Sequence, residues 1–110
     1  MPFTKGFADA YTRRIHFEHH GSDFGAVTEE EYEALADEFL GGPMDDDTLE
    51  CYRTRPDGTT GDTIRYNRRT EEFGVLGRDN VIRTYFKPRP SIHRERSNLD
   101  YFRKECRKVK

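Results

Sequence analysis

Three of the four histidines, His16, His19 and His20, lie within five residues of one another, directly before Gly21. Imidazole titrates near neutral pH, so this cluster is the natural seat of proton transfer. On a helix over residues 7–20, His16 and His20 share a face at i and i+4, while His19 adjoins His20 and lies three residues from His16. Two imidazoles can then address one substrate, one removing a proton and the other supplying one. The sequence does not assign which is acid and which is base. In the last turn of such a helix the dipole would raise their pKa values and favour imidazolium beside an anion. The competing readings are hydrogen bonding to last-turn carbonyls, and a zinc site using the i, i+4 pair with a third ligand that the spacing does not identify.

A second set of candidates lies on the last predicted strand. Arg83, Tyr85 and Lys87 alternate, so they would emerge on one sheet face with Thr84 and Phe86 on the other. A face carrying Arg, Tyr and Lys suits phosphate and a stacked base, although Tyr85 also fits a core position and the two cations an open, solvated face. RNA cleavage needs a base for the 2′-hydroxyl, an acid for the leaving 5′-oxygen and cations for the phosphorane. His20, His16, Arg83 and Tyr85 are therefore the candidate catalytic set. His19, Lys87, Thr84, Arg89 and His93 are candidate substrate contacts, the last two in a basic loop. Asp23 reads as a turn or cap residue before the next helix, or as a carboxylate supporting an imidazole.

The elements that must position these groups are well punctuated. Residues 7–20 form a helix with Phe7, Ala10, Tyr11 and Ile15 on its apolar side, ended by Gly21. Thr28 caps a second helix, with Glu31 completing a capping box and Tyr32, Leu35, Ala36, Phe39 and Leu40 as its buried stripe, until Gly41, Gly42 and Pro43 stop it. Residues 48–55, 62–68, 72–76 and 80–87 are rich in Thr, Tyr, Ile, Val and Phe and are separated by turn residues, which predicts an antiparallel meander. Ser97 caps a final helix with Leu99, Phe102 and Cys106 or Val109 on its apolar stripe. The fold class is α+β: N-terminal helices, a meander sheet of four to five strands and a C-terminal helix, with the helices expected to cover one side of the sheet.

The chain has 110 residues, which allows one domain with one modest core; residues 1–6 read as a flexible N-terminal extension. Hydrophobic content is 33% and charged content 36%, so the eight Phe and six Tyr must supply much of the buried area. No apolar run approaches the ~18 residues of a membrane span, and the N-terminus lacks a signal-peptide core. Cys51 and Cys106 are too few and too far apart to announce a disulfide framework, and two reduced thiols are expected over a single bridge. The net charge of −2 conceals an asymmetry. Residues 23–50 hold eleven acids and no Lys or Arg, whereas residues 83–110 hold ten basic residues against three acids. One end could meet a polyanion and the other a basic protein. A binding module without catalysis, with an acidic docking helix and a basic tail, is the alternative to an enzyme.

The block His20, Asp23, Phe24, Gly25 resembles the His-x-x-Asp-Phe-Gly motif of the colicin D nuclease domain. Together with His16 and Phe17, the helix from Glu31 to Asp37, the Phe73 to Leu76 and Ile82 to Pro88 segments and the Asn98 to Phe102 segment, it is similar to the C-terminal toxin domains of contact-dependent growth inhibition and related polymorphic toxin systems. The resemblance implies a barnase/EndoU/colicin/RelE-type fold and a ribonuclease that cuts tRNA near the anticodon, without a metal or other cofactor. It implies that His20 acts in proton transfer and that His19 stands where relatives carry a phosphate-binding cation. It also implies a cognate immunity protein, docking on the basic active-site face or on the acidic segment 29–47. It allows a host activator, and places the domain within a larger exported or surface-delivered protein acting in the cytoplasm of a neighbouring bacterium.

Overall fold

A computed structural model describes residues 2–110. Helix α1 (Ala10–His20) runs into a 3-10 turn (Gly21–Phe24), followed by α2 (Glu29–Gly41). Strands β1 (Thr48–Thr54), β2 (Thr60–Asn67), β3 (Phe73–Leu76) and β4 (Ile82–Phe86) form a four-stranded antiparallel meander in the order β1-β2-β3-β4. A single-turn helix α3 (Pro90–His93) and the terminal helix α4 (Asn98–Arg107) complete the chain. The α+β class and the meander agree with the sequence reading.

The helices do not share one side of the sheet. Gly74 lies so close to α2 that a Cβ there would stand 2.9 Å from the Leu40 side chain, whereas its neighbours Phe73 and Val75 point the other way into a cluster with Phe102 of α4. The sheet is therefore a middle layer. On one face Phe7, Tyr32, Ala36, Leu40, Ile82 and Tyr85 form a core beneath α1 and α2. On the other, Ile64, Tyr66, Phe73 and Val75 pack with Phe102, Leu99 and Cys106. The α2 side of β1 and β2 carries charge rather than apolar bulk: the Arg65 guanidinium donates to the carbonyls of Phe39 and Gly42 at the end of α2 and pairs with Glu50 at 2.6 Å.

The first helix starts later than the apolar pattern suggests because Asp9 caps it, accepting the Thr12 N–H at 2.7 Å. Phe7 is thus outside the helix, in a parallel bridge to Ile82, with its N–H on Glu33. Gly21 does not end the helical run in a left-handed conformation; its φ is −58°, and the run continues to its cap at Gly25, whose φ is +67°. Of the expected flexible extension, Met1 lies outside the described residues, and Phe3 and Thr4 are fastened by their N–H groups to the Asp37 carboxylate. In α2 the Thr28 hydroxyl accepts the Glu31 N–H as expected, but Leu35 is exposed rather than part of the buried stripe. Ser97 caps α4 through the Asp100 N–H, and Val109, exposed, bridges Thr54 instead of lining the helix stripe.

Cys51 and Cys106 are joined in a disulfide, correcting the expectation of free thiols. Strand β1 and the end of α4 bring them together, and beside them the buried Arg53 guanidinium meets Glu105 at 2.6 Å. The acidic segment is largely employed within the fold. Arg13 spans Glu29, Glu30 and Glu33, and Arg69 spans Asp45 and Asp47. Among the described residues no helix is long and apolar enough to cross a membrane.

Candidate active site

The turn after α1, the end of β4 and α3 converge on a cavity of 330 Å³. Its lining includes His19, His20, Asp23, Phe86, Lys87, Arg89, Ile92, His93 and Tyr101. Five of the nine candidate residues thus meet here: His19, His20, Lys87, Arg89 and His93. A larger cavity of 530 Å³ lies between the N-terminal segment and α2, but it gathers Glu30, Glu33, Asp37 and Glu38 with Lys5 and no imidazole. The smaller one holds the groups able to move protons and bind an anion.

Each imidazole has a distinct setting. The His20 ring lies against Phe86, 5.2 Å between centroids, and 6.0 Å from both His16 and His19. His16 does not line the cavity; it stacks on Phe7 at 5.2 Å. Burial, helped by positive charge on the neighbouring histidines, lowers the pKa of His16 and His20 below the usual 6.5; for His20 the Asp23 carboxylate opposes this. The expected upward shift from the helix end does not occur. The 3-10 turn continues the chain past α1 and Gly21 donates to the Phe17 carbonyl, so the helix end is folded over and desolvation prevails.

These directions give a stability prediction. A histidine whose folded pKa is depressed stabilises the native state fully above its unfolded value of about 6.5, and that contribution is lost as pH falls through the folded value. The thermal midpoint of the wild type is expected to fall between neutral pH and pH ~5. The deficit of His16→Gln relative to wild type should shrink over the same interval, because the variant has no imidazole to protonate there. A deficit constant across pH would contradict the assignment.

Arg89 reaches back to Asp23, 2.9 Å between Nη2 and Oδ1, which ties the entrance of α3 to the turn after α1. Asp23 is therefore more than a turn residue: it orients Arg89 and lies near His20. Lys87 extends over the Phe24 ring at 5.5 Å. His93 is held on both ring nitrogens. Nδ1 accepts the Glu95 N–H at 3.0 Å, so Nε2 carries the hydrogen toward Asn98 Oδ1 at 2.8 Å. With both nitrogens occupied it is part of the wall and not a proton donor to substrate.

Arg83, Thr84 and Tyr85 do not join the site. A bulge pairs Val75 with Thr84 but Leu76 with Ile82, making Arg83 the inserted residue and breaking the alternation. Ile82 and Tyr85 consequently enter the same core. Tyr85 is fully buried, stacked on Phe24 at 4.1 Å, and donates its hydroxyl to Glu72; burial and that carboxylate raise its pKa strongly. It cannot stack on substrate. Arg83 pairs with Asp79 at 3.1 Å, and with Thr84 it lines a separate cleft beside Arg53 and Asp62. Among the described residues no three His, Cys, Asp or Glu side chains are grouped as metal ligands, so the zinc reading finds no third ligand for His16 and His20. Phe86, Ile92 and Tyr101 were not singled out as site residues from sequence: Phe86 was placed only on the sheet face opposite Tyr85, and the aromatic or aliphatic character of the other two was the available signal.

No protein-family model and no curated protein matches the chain. Among solved structures, the chain is similar to an Escherichia coli protein described as a ribonuclease complexed with its inhibitor protein. The identity is 20%, the TM-score 0.52, and the match covers 80% of this chain and 95% of the other. At that identity the likeness establishes a shared fold.

Proposed function

We propose that the chain is an endoribonuclease toxin domain that cleaves tRNA, in or near the anticodon loop, without a metal. The observation that carries this reading is the cavity in which His19 and His20 stand beside Lys87 and Arg89. The fold shared with a ribonuclease and the His20, Asp23, Phe24, Gly25 block support it.

In this reading the ribose 2′-oxygen attacks the adjacent phosphorus while one imidazole takes its proton. The bond from phosphorus to the 5′-oxygen breaks, and the second imidazole protonates the departing oxygen. The products are a 2′,3′-cyclic phosphate and a 5′-hydroxyl. Lys87 and Arg89 stabilise charge on the phosphorane. Because His19 lines the cavity and His16 does not, His19 is the partner of His20. His16 packs behind it and helps keep its pKa low. His20, held below the usual 6.5, is suited to the base role at neutral pH, and the bound phosphate supplies the negative charge that favours an imidazolium acid.

The partner that blocks the domain would be an acidic immunity protein on the cavity face, since much of segment 29–47 is already engaged with Arg13, Arg69 and the N-terminal backbone. Delivery within a larger exported protein, with action in a neighbouring bacterium's cytoplasm, accords with a disulfide formed in an oxidising compartment. The test is incubation of the purified protein with total bacterial tRNA in EDTA, followed by sequencing of the fragments and analysis of their ends. Discrete fragments bearing cyclic phosphate are expected. RNA binding without cleavage, with and without cell extract, would favour the non-catalytic module.

A further inference from the structure

The cavity has a second half that proton transfer does not use. Beside His19 and His20, its wall includes Phe86, Tyr101 and Ile92. Ile92 stands at the lip with 73% of its surface exposed, an unusual setting for an isoleucine beside a cationic rim.

The aromatic part of this wall is braced from behind. Tyr101 stacks on the His93 ring at 4.5 Å between centroids and 19° between planes. His93 is fixed by its two hydrogen bonds, and its partner Asn98, only 4% exposed, passes a further bond from Nδ2 to Glu71 at 3.0 Å. Phe86 is supported by Phe73 at 5.3 Å. Burial and the nearby Glu105 push the Tyr101 hydroxyl up to about 12, so it stays neutral and the wall carries no charge at working pH. Rigid, uncharged aromatic and aliphatic surface next to Lys87 and Arg89 matches one ligand chemistry: a flat, weakly polar ring joined to an anion.

We infer that the Phe86, Ile92 and Tyr101 wall is a subsite for one unpaired nucleobase flanking the phosphate held by His19, His20, Lys87 and Arg89. The inference rests on the ribonuclease reading for its biological meaning and extends it to the substrate's conformation. A base paired within a duplex cannot enter the cavity, so the nucleotide at the cut is unpaired and turned out of any helix. The contacts are apolar and stacking contacts, which every base can make, so this subsite selects strand conformation ahead of base identity.

The test has a binding arm and a cleavage arm. In the first, adenosine 5′-monophosphate, cytidine 5′-monophosphate and ribose 5-phosphate are titrated at millimolar concentration into the intact protein, with the Ile92 methyl and Tyr101 ring signals followed by NMR. Both nucleotides are expected to shift Ile92 and Tyr101, whereas ribose 5-phosphate moves only the imidazole signals. Ile92→Ser, at an exposed position, should weaken nucleotide binding several-fold while leaving ribose 5-phosphate binding unchanged. Identical shifts from all three ligands, or none at Ile92, would overturn the inference. In the second arm, single-stranded RNAs carry one abasic residue on either side of the scissile bond. One of the two positions is expected to cost tenfold or more in kcat/KM, the scale of one lost stacking contact. Full activity with both abasic substrates would remove the subsite and leave the nuclease reading standing. Base-dependent binding in a protein that cleaves no RNA would do the reverse.

Discussion

Replacing His20 by alanine lowers the rate of RNA cleavage by about a thousandfold, the middle of the range for loss of a general acid or base, while leaving RNA affinity within about twofold. The separation follows from where the groups lie. His20 closes the last turn of α1, where alanine is an excellent helix former, and its ring is held by packing against Phe86. Lys87, Arg89 and the apolar wall remain to hold the substrate. His19→Ala should fall in the same range, whereas His16→Ala should cost tenfold or less, because His16 is stacked on Phe7 behind the cavity and reaches the substrate only through its effect on His20. Single-turnover cleavage and filter binding on the same RNA separate the two quantities. Equal losses from His16 and His20 would return His16 to the chemistry, and full activity in His20→Ala would move the site elsewhere.

The helical half of the fold was readable because its signals are local. Thr28 with Glu31 and Ser97 with Asp100 are caps whose donors and acceptors lie three residues apart, and the structure shows both bonds. The meander was readable for the same reason: each strand is bounded by its own turn residues. One local signal was passed over: Asp9 caps α1 by accepting the N–H of Thr12, three residues on, and Phe7 thereby becomes a bridge partner of Ile82 instead of a helix residue. The rest of what escaped the sequence depends on distant partners. The bulge at Arg83 has no sequence signature, yet it sends Tyr85 into the core and dissolves the predicted face of Arg83, Tyr85 and Lys87. Of that predicted face only Lys87 reaches the cavity, next to Phe86 at the end of β4.

The two-sided sheet was hidden by composition. The α2 side of β1, β2 and β3 is built from Glu50, Arg65 and Gly74, which read as an exposed face. In the fold Arg65 satisfies carbonyls at the end of α2, and Gly74 admits Leu40 where any side chain would obstruct it. The histidines lie near one another as expected, but the pKa direction of His16 and His20 is opposite to the expected one, because a dipole argument uses the helix alone. Phe86, Phe7 and the turn after α1 supply desolvation that the dipole does not overcome.

The disulfide carries the second large effect. It joins β1 to α4 across 55 residues, and a loop of that length predicts about 4 kcal/mol of stabilisation through restriction of the unfolded chain. With an unfolding entropy of ~0.23 kcal/mol/K for a domain of this size, the double variant Cys51→Ser, Cys106→Ser is expected to melt about 17 °C lower than the oxidised protein. Both the variant and the reduced wild type should nevertheless stay folded at 25 °C. Phe102 still buries its ring in the α4-side core, the Arg53 and Glu105 pair still spans the same junction, and Lys110 still donates its N–H to the Thr54 carbonyl. The bond also lies at the far end of α4 from Tyr101, Asn98 and His93, so the cavity wall should survive its loss and the cleavage rate at 25 °C should change by less than about twofold. Thermal denaturation with and without reductant, paired with cleavage assays on the same samples, reads both quantities. A small shift in melting temperature would show that the Arg53 and Phe102 contacts alone restrain α4. A lost activity at unchanged fold would show that the bond, rather than the packing, sets the position of Tyr101. A chain stable when oxidised and active when reduced can cross an oxidising space and then work in a reducing one.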